Sequence, residues 1–230
     1  MGQRCMLAFD RYVGAMSESD WRDVGERRRA VVMAGYLGHA EVAVAATHDD
    51  DPSVRVVALG ALQRLGELTV ASLETALTDH PRVARRAAEL AANHPGDLDA
   101  ALLAALAGSD ASVAEVAAWA LGERHEAAEH PTTTTQTVVA ALISTVNSHA
   151  DALCRESAVA ALGAIGHEDG LAAILRATSD KTTVRRRAII ALASYDGPEV
   201  DAALAHALED RDWQVRQAAE DLSSITDDGP

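Results

Sequence analysis

Aromatic residues, cysteine and lysine are scarce in this chain of 230 residues. Phe, Tyr and Trp together make up 3% of the sequence, and Lys181 is its single lysine. The hydrophobic share of 48% is carried mainly by Ala, Val and Leu. Because Ala and Leu are strong helix formers, whereas strands favour β-branched and aromatic residues, the composition predicts an all-α protein with a core of small side chains.

The cysteines and the apolar segments limit where the protein works. Cys5 and Cys154 lie far apart, and two cysteines form neither a disulfide framework nor a metal cluster, which favours a reducing cytoplasm. The sequence has no run of roughly 18 apolar residues and no secretory signal at its N-terminus. We therefore expect a soluble, cytoplasmic protein with no membrane association.

Negative charge predominates, with a formal net charge of −15 at pH 7. Binding to a nucleic-acid backbone draws its affinity from clustered Lys and Arg, so this balance disfavours nucleic acid as a partner. It also leaves solubility as the simplest explanation of the charge.

A repeat of about thirty residues is the strongest pattern in the sequence. Each copy has an anchor position, often preceded by Asp and followed by Arg, and an Ala four residues after the anchor. The seven anchors are Glu26, Val54, Val83, Val113, Cys154, Val184 and Val215, and the alanines are Ala30, Ala58, Ala87, Ala117, Ala158, Ala188 and Ala219. The interval between Val113 and Cys154 is longer than the others by about a dozen residues.

This periodicity predicts stacked pairs of helices. The anchor and the Ala lie on one stripe of the second helix of each pair, where a small side chain lets the next helix approach closely. Gly38, Gly66 and Gly166 fall where a helix C-cap favours glycine. We expect a right-handed α-solenoid of about seven pairs, forming one domain over residues 1–226, with a first helix near residues 3–18 and a frayed acidic tail at 227–230.

The pattern D-x-x-V-R-x-x-A-x-x-A-L-G, seen in DPSVRVVALGALQRLG, resembles the HEAT-like repeats of the phycobilisome lyase type. The resemblance covers nearly the whole chain and implies the fold. It implies little about function, because such repeats occur in chromophore lyases, di-iron deoxyhypusine hydroxylases, DNA glycosylases and scaffolds without catalytic activity.

Five copies place an Arg directly after the anchor: Arg27, Arg55, Arg155, Arg185 and Arg216. The favoured interpretation is an Asp–Arg ladder, in which each guanidinium binds a carboxylate or carbonyl oxygen in its own or the neighbouring turn. The runs Arg27–Arg29 and Arg185–Arg187 exceed what a ladder needs, and their extra members are candidates for facing a partner.

The second helices are expected to line the concave face of the solenoid, with anchor plus two and anchor plus six exposed. The candidates at these positions are Arg28, Arg85, Glu89, Glu115, Trp119, Glu156 and Arg186. Their charges are mixed and one large aromatic stands among them, which suits a protein or peptide partner.

The fourth copy departs most from the pattern. It lacks the ladder Arg, it carries Trp119, and the additional residues follow in an expected loop at 123–136. Insertions in repeat proteins often lie at the binding surface, so Glu123, His125, Glu126 and His130 complete the hypothetical partner-binding set. A tolerated surface loop beside a buried Trp is the alternative interpretation.

No metal, cofactor or catalytic motif is identified in the sequence. In H-E-x-x-E-H, His125 and His130 are about 140° apart around a helix, and Pro131 ends that helix. His167 and Glu168 resemble one of the four His-Glu pairs of the hydroxylases, but this chain has only two such pairs. We expect Cys154 to be a packed, unreactive thiol.

The function that these observations favour is a non-catalytic HEAT-repeat scaffold or adaptor, expected to be a monomer, that binds a protein or peptide on its concave face. The alternative is a lyase-like or di-iron hydroxylase-like enzyme that acts on a modified protein or a tetrapyrrole. Bound iron or a coloured adduct would favour the enzyme.

Overall fold

The computed structural model describes residues 23–126 and 132–227, and the chain divides into two compact units, residues 1–98 and 99–230. Helices and short turns make up the described residues, which contain no strand. The helix expected at residues 3–18 and the end of the expected tail lie outside the described residues. The prediction of one continuous domain stays a prediction.

In the first unit, pairs of antiparallel helices follow one another along the chain, and we name the first and second helix of each pair A and B. Its helices are α1 (Val24–Leu37), α2 (Ala40–Ala46), α3 (Pro52–Leu65), α4 (Val70–Leu77) and α5 (Pro81–Ala91). Helices α1, α3 and α5 are B helices, and α2 and α4 are A helices. Each B helix contains one of the predicted anchors.

The second unit continues the same alternation. Its helices are α6 (Asp99–Leu106), α7 (Ala111–Arg124), α8 (Thr133–Ser148), α9 (Ala152–Ile165), α10 (Leu171–Ala177), α11 (Thr182–Ala191), α12 (Pro198–Ala207) and α13 (Trp213–Asp227). Even-numbered helices are A helices, and α7, α9, α11 and α13 are B helices. Among the helices of the described residues, none combines the length and the apolarity that crossing a lipid bilayer requires.

Local sequence signals set the ends of the B helices. The Asp51 carboxylate accepts a hydrogen bond from the Ser53 N–H (2.8 Å) and starts α3, and Asp151 does the same for α9 with Leu153 (2.7 Å). These side chains satisfy N–H groups that have no partner inside the helix. The three predicted C-cap glycines have positive φ: Gly38 (90°), Gly66 (74°) and Gly166 (67°).

The alanine stripe forms the centre of the core. All seven alanines at anchor plus four are 0% exposed: Ala30, Ala58, Ala87, Ala117, Ala158, Ala188 and Ala219. Six of the seven anchors are buried with them, whereas Glu26 in the first copy is half-buried. The predicted core is thus confirmed, and it explains why the chain manages with so few aromatic residues.

Glycines nine residues after the anchor bring neighbouring B helices into close contact. A Cβ on Gly163 of α9 would lie 2.6 Å from the Cβ of Ala191 of α11, and one on Gly122 of α7 would lie 2.8 Å from the Cβ of Ala161 of α9. Real Cβ atoms do not approach so closely, so glycine is required at both positions.

An Arg–Asp ladder joins successive repeats within each unit. Each Arg donates from Nε and Nη2 to both carboxylate oxygens of an Asp in the A–B loop of the next repeat. The pairs are Arg27–Asp49, Arg55–Asp79, Arg155–Asp180 and Arg185–Asp210, with distances of 2.6–3.0 Å. Nη1 of Arg55, Arg155 and Arg185 also donates to carbonyl oxygens of the residue's own A–B loop. The predicted ladder is confirmed, and its carboxylates come from the following repeat.

The ladder also sets the protonation of its carboxylates. The hydrogen bonds from Arg155 and Arg185 hold the pKa of Asp180 and of Asp210 below the usual value, against the opposing effect of burial. The pKa of Asp79 is lowered in the same way by Arg55. Forked bonds from Arg to a carboxylate favour the charged form, so these pairs stay ionised at neutral pH.

Candidate partner interface

The second unit presents one face of its four B helices to solvent. At anchor plus two and plus six this face carries Glu115 and Trp119 on α7, Glu156 and Ala160 on α9, Arg186 and Ile190 on α11, and Gln217 and Asp221 on α13. Neighbouring B helices pack on their alanine stripes, which turns these positions away from the core. Trp119 is 38% exposed and Ile190 is 39% exposed.

A groove between α11 and α13 lies on this face, with a volume of 280 Å³. Its lining consists of apolar side chains, which we call the floor, and polar side chains, which we call the rim. The apolar residues are Ile190, Ala193, Trp213, Ala218 and Leu222, and the rim residues are Arg186, Gln214, Gln217 and Asp221. We call it the terminal groove, because α13 is the last helix of the described residues.

Trp213 is one of the residues of this groove that the repeat pattern did not single out. It is the first residue of α13 and is 64% exposed. Its position, two residues before the anchor Val215, lies outside the positions predicted to be exposed. No sequence inference identified Trp213, and the available signal was that Trp is rare in this chain and is a residue type enriched at interfaces.

Acidic residues surround Trp119 on α7. Glu115 precedes it by four residues and Glu123 follows it by four, which places all three on one face of the helix. Glu156 on α9 lies within ion-pair distance of Arg187 (3.8 Å). Trp119 itself is 38% exposed, so the alternative interpretation that it is buried is wrong.

Helices overlap both ends of the loop predicted in the fourth repeat. Helix α7 continues through Arg124, and α8 begins at Thr133, so the expected loop at 123–136 is wrong at both ends. The Thr132 side chain caps α8 in a reciprocal capping box with Thr135, which explains how a run of four threonines starts a helix. His130 lies outside the described residues, and the described Glu123 and Glu126 are exposed.

His125 is held in a polar cluster below the surface, with a side chain only 11% exposed. Its Nε2 lies 2.9 Å from Oδ2 of Asp99, and its Nδ1 lies 3.2 Å from the Thr135 hydroxyl. Arg124 Nε donates to the other oxygen of Asp99 (2.7 Å). The Thr135 hydroxyl is buried and shared with the capping box, so this Asp–His–Thr arrangement fixes the ends of α7 and α8 and offers no accessible nucleophile.

The first unit holds the other predicted candidates, Arg28 on α1 and Arg85 and Glu89 on α5. Arg28 and Arg85 are exposed, and Arg85 lies 3.5 Å from the Glu89 carboxylate. Arg86 also donates to Glu89 (3.0 Å). The acidic charge of Glu89 is therefore compensated within its own helix.

A cleft of 390 Å³ also lies in the first unit, between helices α2 and α4. Its hydroxyl groups are already used inside their own helices: Thr47 donates to the Val44 carbonyl (2.7 Å), and Thr75 donates to the Ala71 carbonyl (2.9 Å). With no aromatic residue in its lining, this cleft offers a partner less than the terminal groove does.

Two histidines of the described residues cap the starts of helical segments. His167 accepts a hydrogen bond from the Asp169 N–H (3.2 Å) and begins a short 3₁₀ turn, and His80 accepts from the Arg82 N–H (3.2 Å). Residues 23–126 and 132–227 contain no group of three or more His, Cys, Asp or Glu side chains arranged to hold a metal ion.

Cys154 is packed as the sequence indicated. It is 0% exposed, and its thiol donates to the Ala111 carbonyl at 3.1 Å. Burial raises the pKa of the thiol to about 11. A thiol in this state is not a nucleophile at neutral pH.

These helix pairs define an all-α repeat protein of the α-solenoid class, as predicted. Residues 139–223 match the family model for HEAT repeats. No curated protein sequence matches the chain. The similarity to the phycobilisome lyase type remains a resemblance in the repeat pattern.

Comparison with solved structures finds similar chains at low sequence identity, one of them with a TM-score above 0.5. An engineered protein is 18% identical, with a TM-score of 0.60 over 98% of this chain and 69% of its own. Human deoxyhypusine hydroxylase in complex with glycerol is 18% identical, with a TM-score of 0.46 over 90% of this chain and 81% of its own. A second engineered protein is 20% identical, with a TM-score of 0.41 over 88% and 85%. At these identities the likeness concerns the fold alone.

Proposed function

We propose that this protein is a cytoplasmic scaffold that binds a protein or peptide partner through the exposed face of α7, α9, α11 and α13. The terminal groove is the observation that carries the proposal. It combines an apolar floor, a polar rim and the exposed indole of Trp213. Tryptophan and arginine are the residues most often found at binding hot spots, and Arg186 lies on the same rim.

The charges of this face favour a protein or peptide over nucleic acid. Glu115, Glu123 and Glu156 lie on α7 and α9, whereas Arg186 lies on α11. A nucleic-acid backbone requires a continuous basic surface, which this mixture does not provide. Stacked helical repeats commonly use such extended faces to bind partners.

Capture of a partner from the native host with matched variants tests the proposal. Trp213→Ala removes the exposed indole from the terminal groove, and Val44→Ala is the control, because Val44 is 50% exposed in the first unit. We expect at least one protein to be retained by the wild type and by Val44→Ala but lost with Trp213→Ala. Circular dichroism and urea unfolding should show that both variants keep the fold.

The outcome that would contradict the proposal is equally clear. If Trp213→Ala, Trp119→Ala and the double variant all retain the same proteins as the wild type, then the face of the second unit is not the binding surface.

A further inference from the structure

The rim of the terminal groove carries two charged side chains, Asp221 and Arg186. Among the described residues, the Asp221 carboxylate has a hydrogen-bond partner and the Arg186 guanidinium has none. The Gln217 side-chain amide donates to the Asp221 carboxylate at 2.7 Å. Arg186 is exposed, and no acceptor or carboxylate of the described residues lies within hydrogen-bond or ion-pair distance of its guanidinium. Glu156, at the equivalent position of the preceding B helix, is paired with Arg187 instead.

This asymmetry determines what the groove can take. A guanidinium at the edge of an apolar floor gains most from a carboxylate, which it can bind through two parallel hydrogen bonds. Asp221 on the same rim repels a second carboxylate, so the arrangement selects a single acidic group and rejects polyanions. The apolar floor beside Arg186 takes an aliphatic or aromatic side chain.

The spacing of the two contacts limits the conformation of the ligand. Arg186 and Ile190 are four residues apart on α11, or about 6 Å along the helix axis. In an extended peptide, residues two apart project from the same side at a separation of about 7 Å. An apolar residue and an acidic residue separated by one position therefore match the two contacts.

We propose that the terminal groove recognises an extended peptide segment of a partner protein in which an apolar residue and an Asp or Glu stand two positions apart. Arg186, Ile190 and Trp213 in the lining are exposed to solvent, so the groove suits an internal segment whose side chain supplies the carboxylate. Trp213 covers the apolar side chain of the peptide, and Arg186 binds the carboxylate. This inference rests on the proposed function and specifies its ligand.

Selection from a library of random 12-residue peptides, displayed without a free C-terminus, tests the inference. The wild type, Arg186→Glu and Trp213→Ala serve as targets, and Arg82→Glu is the control, since it makes the same charge change at an exposed residue of the first unit. Peptides selected by the wild type and by the control should contain the predicted pair of residues. Arg186→Glu should select Lys or Arg in place of the acidic residue.

Binding of one selected peptide, measured by fluorescence polarisation, gives the size of the effect. Replacing its acidic residue by the uncharged amide should weaken binding to the wild type at least about tenfold and leave binding to Arg186→Glu no weaker. Trp213→Ala should weaken binding of the unchanged peptide by a similar factor.

The two levels of the proposal fail in different ways. If selected peptides depend on Trp213 but are the same for the wild type and Arg186→Glu, then the carboxylate specificity is wrong and the binding surface stands. If the library yields no peptide, or only peptides indifferent to Trp213→Ala, then both the inference and the proposed binding surface are wrong. A preference for free C-terminal carboxylates in a second library would overturn the assignment to an internal acidic side chain.

Discussion

The guanidinium of Arg155 on α9 holds both carboxylate oxygens of Asp180, 25 residues further along the chain. Nε and Nη2 each donate to one of these oxygens at a distance of 2.7 Å, and Nη1 donates to the His149 carbonyl (2.7 Å). One side chain thereby ties its own A–B loop to that of the next repeat. Both side chains are mostly buried, with exposures of 14% and 21%.

Replacing this arginine by lysine should destabilise the second unit. Lysine keeps the charge but cannot make the two parallel hydrogen bonds together with the carbonyl contact, so we expect Arg155→Lys to lower the free energy of unfolding by about 2 kcal/mol. Arg186→Lys is the matched control, because that guanidinium is exposed, and its effect should stay within about 0.5 kcal/mol. Equal urea midpoints for Arg155→Lys and the wild type would refute a stabilising role for the ladder.

Stability should fall in acid because of the same carboxylates. The pKa values of Asp79, Asp180 and Asp210 are lowered in the folded protein, chiefly by their Arg partners. Their contribution is complete above the unfolded pKa of about 3.9 and is lost as the pH falls below it toward the folded values. Urea unfolding at pH 7, 5 and 3.5 should show the beginning of this loss between the last two.

The matched variant for this pH dependence is Arg155→Met, which removes the main cause of the lowered pKa of Asp180. Its free energy of unfolding should already be reduced at pH 7 and should decline less between pH 5 and 3.5 than that of the wild type. A decline as steep as that of the wild type would show that Asp180 does not contribute.

Glycine at the contact between B helices should be irreplaceable, whereas glycine elsewhere in a B helix should not be. A Cβ on Gly163 would collide with Ala191, so Gly163→Ala should destabilise the protein by about 1–3 kcal/mol. A Cβ on Gly60 of α3 would have its nearest neighbour at 3.7 Å, so Gly60→Ala should stabilise by up to about 1 kcal/mol. Thermal or urea unfolding of both variants decides, and a stabilised Gly163→Ala would disprove the close packing.

Removing the hydroxyl that joins His125 to the start of α8 should also be costly. Thr135→Val leaves His125 Nδ1 and the Thr132 N–H without this partner, and we expect a loss of about 1–3 kcal/mol. Thr137→Val is the control, since that hydroxyl is exposed and donates only to the carbonyl of Thr133. Similar stabilities for the two variants would argue against a structural cluster.

The thiol of Cys154 should react only after unfolding. In a Cys5→Ser background, labelling with an aromatic disulfide reagent at pH 8 should be negligible in the folded protein, because the thiol is buried and burial raises its pKa to about 11. Labelling should become rapid in urea at the concentration that unfolds the second unit. Fast labelling of the folded protein would contradict the packing of this anchor.

Structural features that depend on residues close together in the chain could be predicted from the sequence. The N-cap of Asp51 and the C-cap of Gly66 are read from a few adjacent positions, and the buried alanines follow from helical periodicity. The sequence did not identify which Asp each ladder Arg binds. Asp51 stands four residues before Arg55 but is occupied in capping α3, so the guanidinium binds Asp79 of the next repeat.

Only the part of the candidate interface that follows from the repeat register was predicted from the sequence. Arg186 and Trp119 follow from their register in the repeat. The terminal groove depends on how α11 and α13 pack, and Trp213 enters it from a position before the anchor that the repeat does not mark. The run of threonines read as a loop, because threonine is a weak helix former and its capping role appears only in three dimensions.

Each repeat inside the ladder offers an Asp to the repeat before it and an Arg to the repeat after it. The sixth repeat supplies Asp180 to the Arg before it and Arg185 to the Asp after it, so tandem duplicates of this segment would satisfy one another without any other change. Arg216 of α13 donates to the Asp210 carbonyl (2.7 Å), and no carboxylate of the described residues pairs with it. By the geometry of the ladder, Arg216 is placed to bind an Asp in the A–B loop of a repeat packed against α13.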